Sequence, residues 1–184
     1  LKIYLSSQDL KTKEDSVKFA NTLKTLNEKD PKNDMVFSQL AAVLQALGDK
    51  DGASKLIESR LALNPNDYSA LALKAQNAMN AATQDPALYD VAIENFKRAI
   101  AIKPNDDALI YTYLAFSINA KAAACQNANE QKVLCLESVT YLEQARELDP
   151  NRERANWTYP LYQCYYTLYG ADDARTKEIE ALTK

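Results

Sequence analysis

The sequence predicts an all-α protein built as an array of antiparallel helix pairs, and three observations carry that expectation. Only three of its 184 residues are glycine, few for a sheet-rich fold, while alanine, leucine, lysine and glutamate dominate and favour helices. Within Asp90–Asp106, Ala92, Phe96, Ala99 and Ile100 recur at helical spacing, with Glu94, Asn95, Lys97 and Arg98 on the other side, so this stretch is an amphipathic helix facing a core. Pro104 stops it, and Asn105-Asp106-Asp107 supplies oxygens to cap the next helix. The same punctuation recurs at Asp30-Pro31-Lys32-Asn33-Asp34, Asn64-Pro65-Asn66-Asp67 and Asp149-Pro150-Asn151.

Taken in order, residues 1–8 have no clear period. A first helix runs from about Asp9 to Lys29 on the face Val17, Ala20, Leu23 and Leu26. Asp34 is expected to cap a second helix carrying Val36, Phe37, Leu40, Ala41 and Leu44, with Gly48 as the left-handed residue that ends it. Its partner, Asp51 to Leu63, buries Ala53, Leu56, Ile57 and Leu61. Asp67 opens a helix with Leu71, Ala75 and Ala78 inward. Asp85-Pro86, an N-cap with proline at the first helical position, starts the amphipathic stretch described above. An apolar helix follows with Ile110, Tyr111, Leu114, Ala115 and Ile118. Asn127 and Glu130 then take the form of a capping box before a helix carrying Leu134, Ser138, Leu142 and Ala145. The last pair is expected at about Arg152–Leu168, where Pro160 kinks the helix or marks its true first turn, and at Ala171–Leu182, a cap with one solvated face.

Composition also excludes. The net charge of -3, from 22 basic and 25 acidic residues interspersed, leaves no basic face for nucleic acid. No apolar run is long enough to span a membrane, so no membrane insertion is expected. The chain begins at Leu1 rather than methionine, which an export signal removed upstream or a cut between domains would explain, so its compartment stays open. Histidine is absent, which removes the usual serine and cysteine triads and histidine-ligated metals. Asp106-Asp107 and Asp172-Asp173 read as negative charge at helix starts rather than as metal ligands. No enzyme activity, metal or cofactor is therefore expected. Cys125, Cys135 and Cys164 read as buried small hydrophobes, with Cys125 and Cys135, on either side of a turn, as the alternative disulfide pair. Asn156-Trp157-Thr158 is a formal glycosylation sequon on an expected aromatic helix and is set aside.

The proline spacings are 34, 39 and 46 residues, and thirty-four is the length of a tetratricopeptide repeat. Ala92, Phe96, Ala99 and Pro104 match that family's second-helix pattern of small, large, alanine, proline, and Ser138, Leu142, Ala145 and Pro150 match it with serine as the small residue. Ala53, Ile57 and Pro65 fit, but Arg60 replaces the alanine, so packing there is expected to be looser or edged by solvent. Phe37 with Leu40-Ala41, Tyr111 with Leu114-Ala115, and Trp157 with Leu161 approximate its first-helix pattern. The chain resembles the tetratricopeptide repeat family from Asp34 to Leu182. The resemblance implies a right-handed superhelical solenoid in one domain, with a degenerate leading helix at 9–33, repeats at 34–66, 67–106 and 107–151, and a C-terminal repeat and capping helix at 152–184. The longer spacings are expected to be absorbed near Thr83–Tyr89 and Ala123–Val133.

Members of that family usually hold a peptide or helix on the concave face lined by first helices. Projected here, that face carries Ser38, Ala42, Gln45, Gln76, Asn80, Thr112, Phe116, Asn119, Tyr162 and Tyr165. The cations with which one branch of the family clamps a terminal carboxylate are missing from Met35, Ser38, Ala42, Ser69, Ala72, Gln76, Leu109 and Thr112, so that activity is not expected. The cluster Trp157, Tyr159, Tyr162, Tyr165, Tyr166 and Tyr169 covers every side of a helix, so some rings must face solvent or a partner. The expected function is a non-catalytic scaffold or adaptor for a protein or peptide partner. The alternative is a self-associating or spacer segment of a larger assembly.

Overall fold

The computed structural model describes residues 12–183. Among the described residues are nine helices and no strand: α1 (Lys13–Lys29), α2 (Asp34–Leu47), α3 (Lys50–Leu63), α4 (Tyr68–Ala81), α5 (Leu88–Ile102), α6 (Ala108–Ala124), α7 (Ala128–Leu148), α8 (Thr158–Tyr169) and α9 (Ala174–Thr183). The aperiodic residues 1–8 and the predicted helix start at Asp9 lie outside the described residues. The chain divides into two compact units, one ending at Ala70 and one beginning at Leu71.

In the first unit α1 packs on α2 and α2 on α3. Thr12 caps α1 in a reciprocal box with Asp15, which satisfies two amides that the helix end leaves free. The buried face of α1 is Phe19, Ala20 and Leu23, while Val17, expected inward, is exposed. Asn33 rather than Asp34 caps α2, accepting from the Val36 amide at 3.1 Å. Gly48 ends α2 at φ 72°, a conformation that costs a side-chain-bearing residue more than glycine.

Arg60 overturns one expectation. At the family's alanine position it leaves no loose edge, being only 6% exposed. Its Nη1 donates to the Pro31 carbonyl at 2.7 Å and its Nε to Asp67 Oδ2 at 2.8 Å, and Nη2 donates to Asp34. The guanidinium lies 5.1 Å from the Phe37 ring centroid. Asp67 meanwhile caps α4 through the Ala70 amide at 3.0 Å. One planar cation thus ties together the turn after α1, the start of α2 and the turn after α3, a task suited to the donor fork of arginine.

In the second unit the small-large-small pattern packs as predicted. Ala92, Phe96 and Ala99 are completely buried, as are Ser138, Leu142 and Ala145. Phe96 lies with Ala75, Met79, Leu114 and Ile118, joining α4, α5 and α6. Leu142 and Ala145 lie with Trp157, Leu161 and Ile179, joining α7, α8 and α9. Ser138 adds a bond to the Ala115 carbonyl at 3.3 Å, which satisfies a polar group that packing has removed from water. Asn95, expected on the polar side, is buried and donates to the Val91 carbonyl at 2.8 Å.

The helix starts account for the remaining differences. Asp85 accepts from the Ala87 amide at 3.2 Å, and the bonds Leu88 to Asp85, Tyr89 to Pro86 and Asp90 to Ala87 form tight single turns. That delays α5 to Leu88. Asn127 caps α7 as expected, but the Glu130 carboxylate accepts from the Cys125 thiol at 3.3 Å, so the box is one-sided. The predicted helix from Arg152 begins only at Thr158. Asp149 takes its place, its carboxylate accepting from the amides of Glu153, Arg154 and Ala155 at 3.0, 2.8 and 2.8 Å while its carbonyl accepts from Trp157 Nε1 at 2.8 Å. Pro160 falls in the first turn of α8, where no backbone donor is needed.

Candidate functional site

On α6 the buried residues Tyr111, Leu114, Ala115 and Ile118 fix one face, which leaves Phe116 outward and 48% exposed. On α8 the buried residues Leu161, Cys164 and Tyr165 turn Tyr159 and Tyr166 outward at 57% and 52% exposure, with Gln163 between them. The two helices meet through Asn119, whose Nδ2 donates to the Pro160 carbonyl at 3.2 Å and whose Oδ1 accepts from the Cys164 thiol at 3.1 Å. Phe116 and Tyr159 therefore lie on adjacent helices, each within one turn of that contact. Tyr162, half-buried, stacks at a tilt on Tyr166 with centroids 6.0 Å apart. Gln76 is half-buried and Asn80 exposed on α4.

Three predicted contact residues serve packing instead. Thr112 is buried and donates back to the Ala108 carbonyl at 3.0 Å. Asn119 joins α6 to α8, as above. Tyr165 is only 8% exposed and its hydroxyl donates to Glu143. Burial and the neighbouring Glu143 carboxylate push its phenol pKa up, so it stays a neutral donor. The exposed rings that take its place, Tyr159 and Tyr166, sit seven residues apart. That spacing is available in the sequence, but which face of α8 its neighbours cover is not, because the covering residues, Glu143 of α7 among them, are distant in sequence.

In the first unit Ser38, Ala42 and Gln45 form one exposed strip on α2, and Met35, at 71% exposure, extends it by a turn. Residues of the segments Thr83–Tyr89 and Ala123–Val133 lie near each other in space. Both segments line one cleft of about 1010 Å³, whose walls include Ala82, Pro86, Tyr89, Ala124 and Val133. Lys121 pairs with Asp90 at its rim at 2.6 Å.

None of the three cysteines is bridged. Cys125 bonds to Glu130, while Cys135 on α7 and Cys164 on α8 are buried in one core cluster. Of the carboxylate pairs Asp106-Asp107 and Asp172-Asp173, Asp107 and Asp173 stand at helix starts. Asp107 caps α6 through the Leu109 amide at 3.0 Å, and Asp173 accepts from the Arg175 amide at 2.9 Å. Arg175 in turn lies over the Tyr169 ring, 3.5 Å from its centroid. Among the described residues no cluster of three potential metal ligands forms, and no helix is long and apolar enough to cross a membrane.

No model of a known protein family matches the chain, and neither does any curated protein. Solved structures do. A crystal structure of MamA is 18% identical with a TM-score of 0.66, the match covering 98% of each chain. A second MamA crystal structure is 17% identical at 0.66, covering 95% of this chain and 87% of that one. A MamA RS-1 double mutant is 20% identical at 0.61, over 92% and 87%. At such identities the likeness establishes fold, and that fold is the tetratricopeptide-like array of helix pairs that the repeat pattern predicts.

Proposed function

We propose that this chain is a non-catalytic scaffold or adaptor that binds a protein or peptide on the aromatic surface of α6 and α8, flanked by the amides of Gln76 and Asn80 on α4. The observation that carries the reading is the exposure of Phe116, Tyr159 and Tyr166 on helices whose opposite faces are fully packed. Large rings held on rigid helices lose little freedom on binding and carry much of the energy of an interface. The fold supports the reading, since tandem helix pairs of this kind act as binding surfaces. The absence of histidine from the sequence supports a role without catalysis. The repeats are read as 34–66, 67–106, 107–151 and 152–184, with α1 leading.

The test is capture of partners from an extract of the source cell on immobilised chain, compared with a Phe116→Ala, Tyr159→Ala, Tyr166→Ala variant that retains its helical circular dichroism. The proposal expects at least one specific protein to be lost from the variant. Equal recovery of every protein by both would contradict it. Self-association, the other reading, predicts a mass in light scattering that rises with concentration.

A further inference from the structure

The helices that carry the exposed rings are nearly without charge. Together α4, α6 and α8 hold two charged residues, Lys74 and Lys121, and no carboxylate, whereas α5, α7 and α9 each carry both signs. Lys121 is paired with Asp90 at 2.6 Å, and Arg152, which lines a pocket with Tyr159, donates to the Leu182 carbonyl at 2.5 Å. Along α8, Tyr159, Gln163 and Tyr166 are all exposed and stand at i, i+4 and i+7. They form one stripe of ring, amide and ring.

We propose that this stripe recognises an uncharged, proline-rich peptide in the polyproline II conformation, an assignment that rests on the reading of α6 and α8 as a binding surface. Spacing, donor chemistry and charge all favour that occupant. A polyproline II helix repeats every three residues, about 9 Å, and Tyr159 and Tyr166 are about 10 Å apart along the axis of α8. Successive turns of the peptide therefore meet successive rings, with Phe116 of α6 extending the platform beside Tyr159. Proline has no N–H, so a proline-rich chain offers its partner carbonyl acceptors and almost no backbone donors. The Gln163 amide and the hydroxyls of Tyr159 and Tyr166 supply donors for those carbonyls. A carboxylate here, an acceptor only, would find nothing to accept from, and α6 and α8 carry none. Such a peptide is also extended before it binds, so little freedom is lost on docking against an aromatic surface.

The test is fluorescence anisotropy of labelled decaproline titrated with the full chain, beside a glycine–serine peptide of equal length. Decaproline is expected to bind at least about tenfold more tightly than the flexible peptide, with no loss from low to high salt. Gln163→Glu, an exposed change that turns a donor into an acceptor, should weaken decaproline at least about threefold, the effect of one hydrogen bond. Decaproline held no more tightly than the glycine–serine peptide, or equally by the parent and Gln163→Glu, would overturn the proposal. A charged or proline-free peptide whose binding depends on Phe116, Tyr159 and Tyr166, found where decaproline does not bind, would overturn this assignment and leave the binding surface standing. A chain that held neither decaproline nor any peptide of a random library would overturn both.

Discussion

Arg60 illustrates how one residue can replace a packing rule with a polar one. A repeat of this type places a small residue there, and the arginine instead reaches Pro31, Asp34 and Asp67 while covering the Phe37 ring. Because its head is buried and the Asp67 carboxylate nearly so, truncation leaves a carboxylate and a carbonyl short of donors. Arg60→Ala is therefore expected to lower stability by about 2–3 kcal/mol, read from urea unfolding. Arg60→Lys should recover only part of that, since a single ammonium cannot serve three acceptors set apart around a planar fork. A loss under about 0.5 kcal/mol in Arg60→Ala, the level of an ordinary surface change, would mean that the network is ornamental. Phe96 makes the apolar counterpart. It is fully buried between three helices, and Phe96→Ala is expected to cost about 3–5 kcal/mol.

At the scale of the element, much of the fold was legible because helix ends in this chain are written in proline and aspartate. Pro31, Pro65, Pro104 and Pro150 each separate two helices, and Asp107 and Asn127 cap where their positions suggest. What was not legible depended on contacts distant in sequence or on competing local bonds. The delayed start of α8 follows from Asp149, whose carboxylate collects three amides that a helix from Arg152 would have used elsewhere. Tyr165 is buried by such a distant contact, its hydroxyl donating to Glu143 on α7, which the periodicity of α8 alone does not show. The Asp149 carboxyl is held below its ordinary value by the amides of Arg154, Ala155 and Glu153 and by the nearby Arg154 charge. A carboxyl depressed in the folded state stabilises above its unfolded pKa, and that contribution is lost as pH falls through the folded value. Thermal unfolding followed from pH 5 down to pH 3 should therefore show a smaller decline in Asp149→Asn than in the parent chain. Parallel declines would rule out the carboxylate as the source.

For the molecule as a whole, the fold makes each helix pair depend on its neighbours for a complete core. In the second unit α9 contributes little apolar surface of its own, yet Ile179 is fully buried with Leu161 and Trp157, and Arg146 bridges α7 to Glu178 at 2.7 Å. A chain ended after Gly170 should uncover that flank and self-associate, giving a light-scattering mass that climbs with concentration, whereas the scaffold reading expects the full chain to hold a constant mass. The central claim, that the exposed rings of α6 and α8 recognise a peptide, is tested most directly with a displayed library of random peptides selected on the immobilised chain. The account predicts that selected peptides lose at least about tenfold in affinity, the effect of removing one good anchor, toward the Phe116→Ala, Tyr159→Ala, Tyr166→Ala variant. Peptides that bind parent and variant with equal affinity, or a library from which nothing is selected, would contradict it.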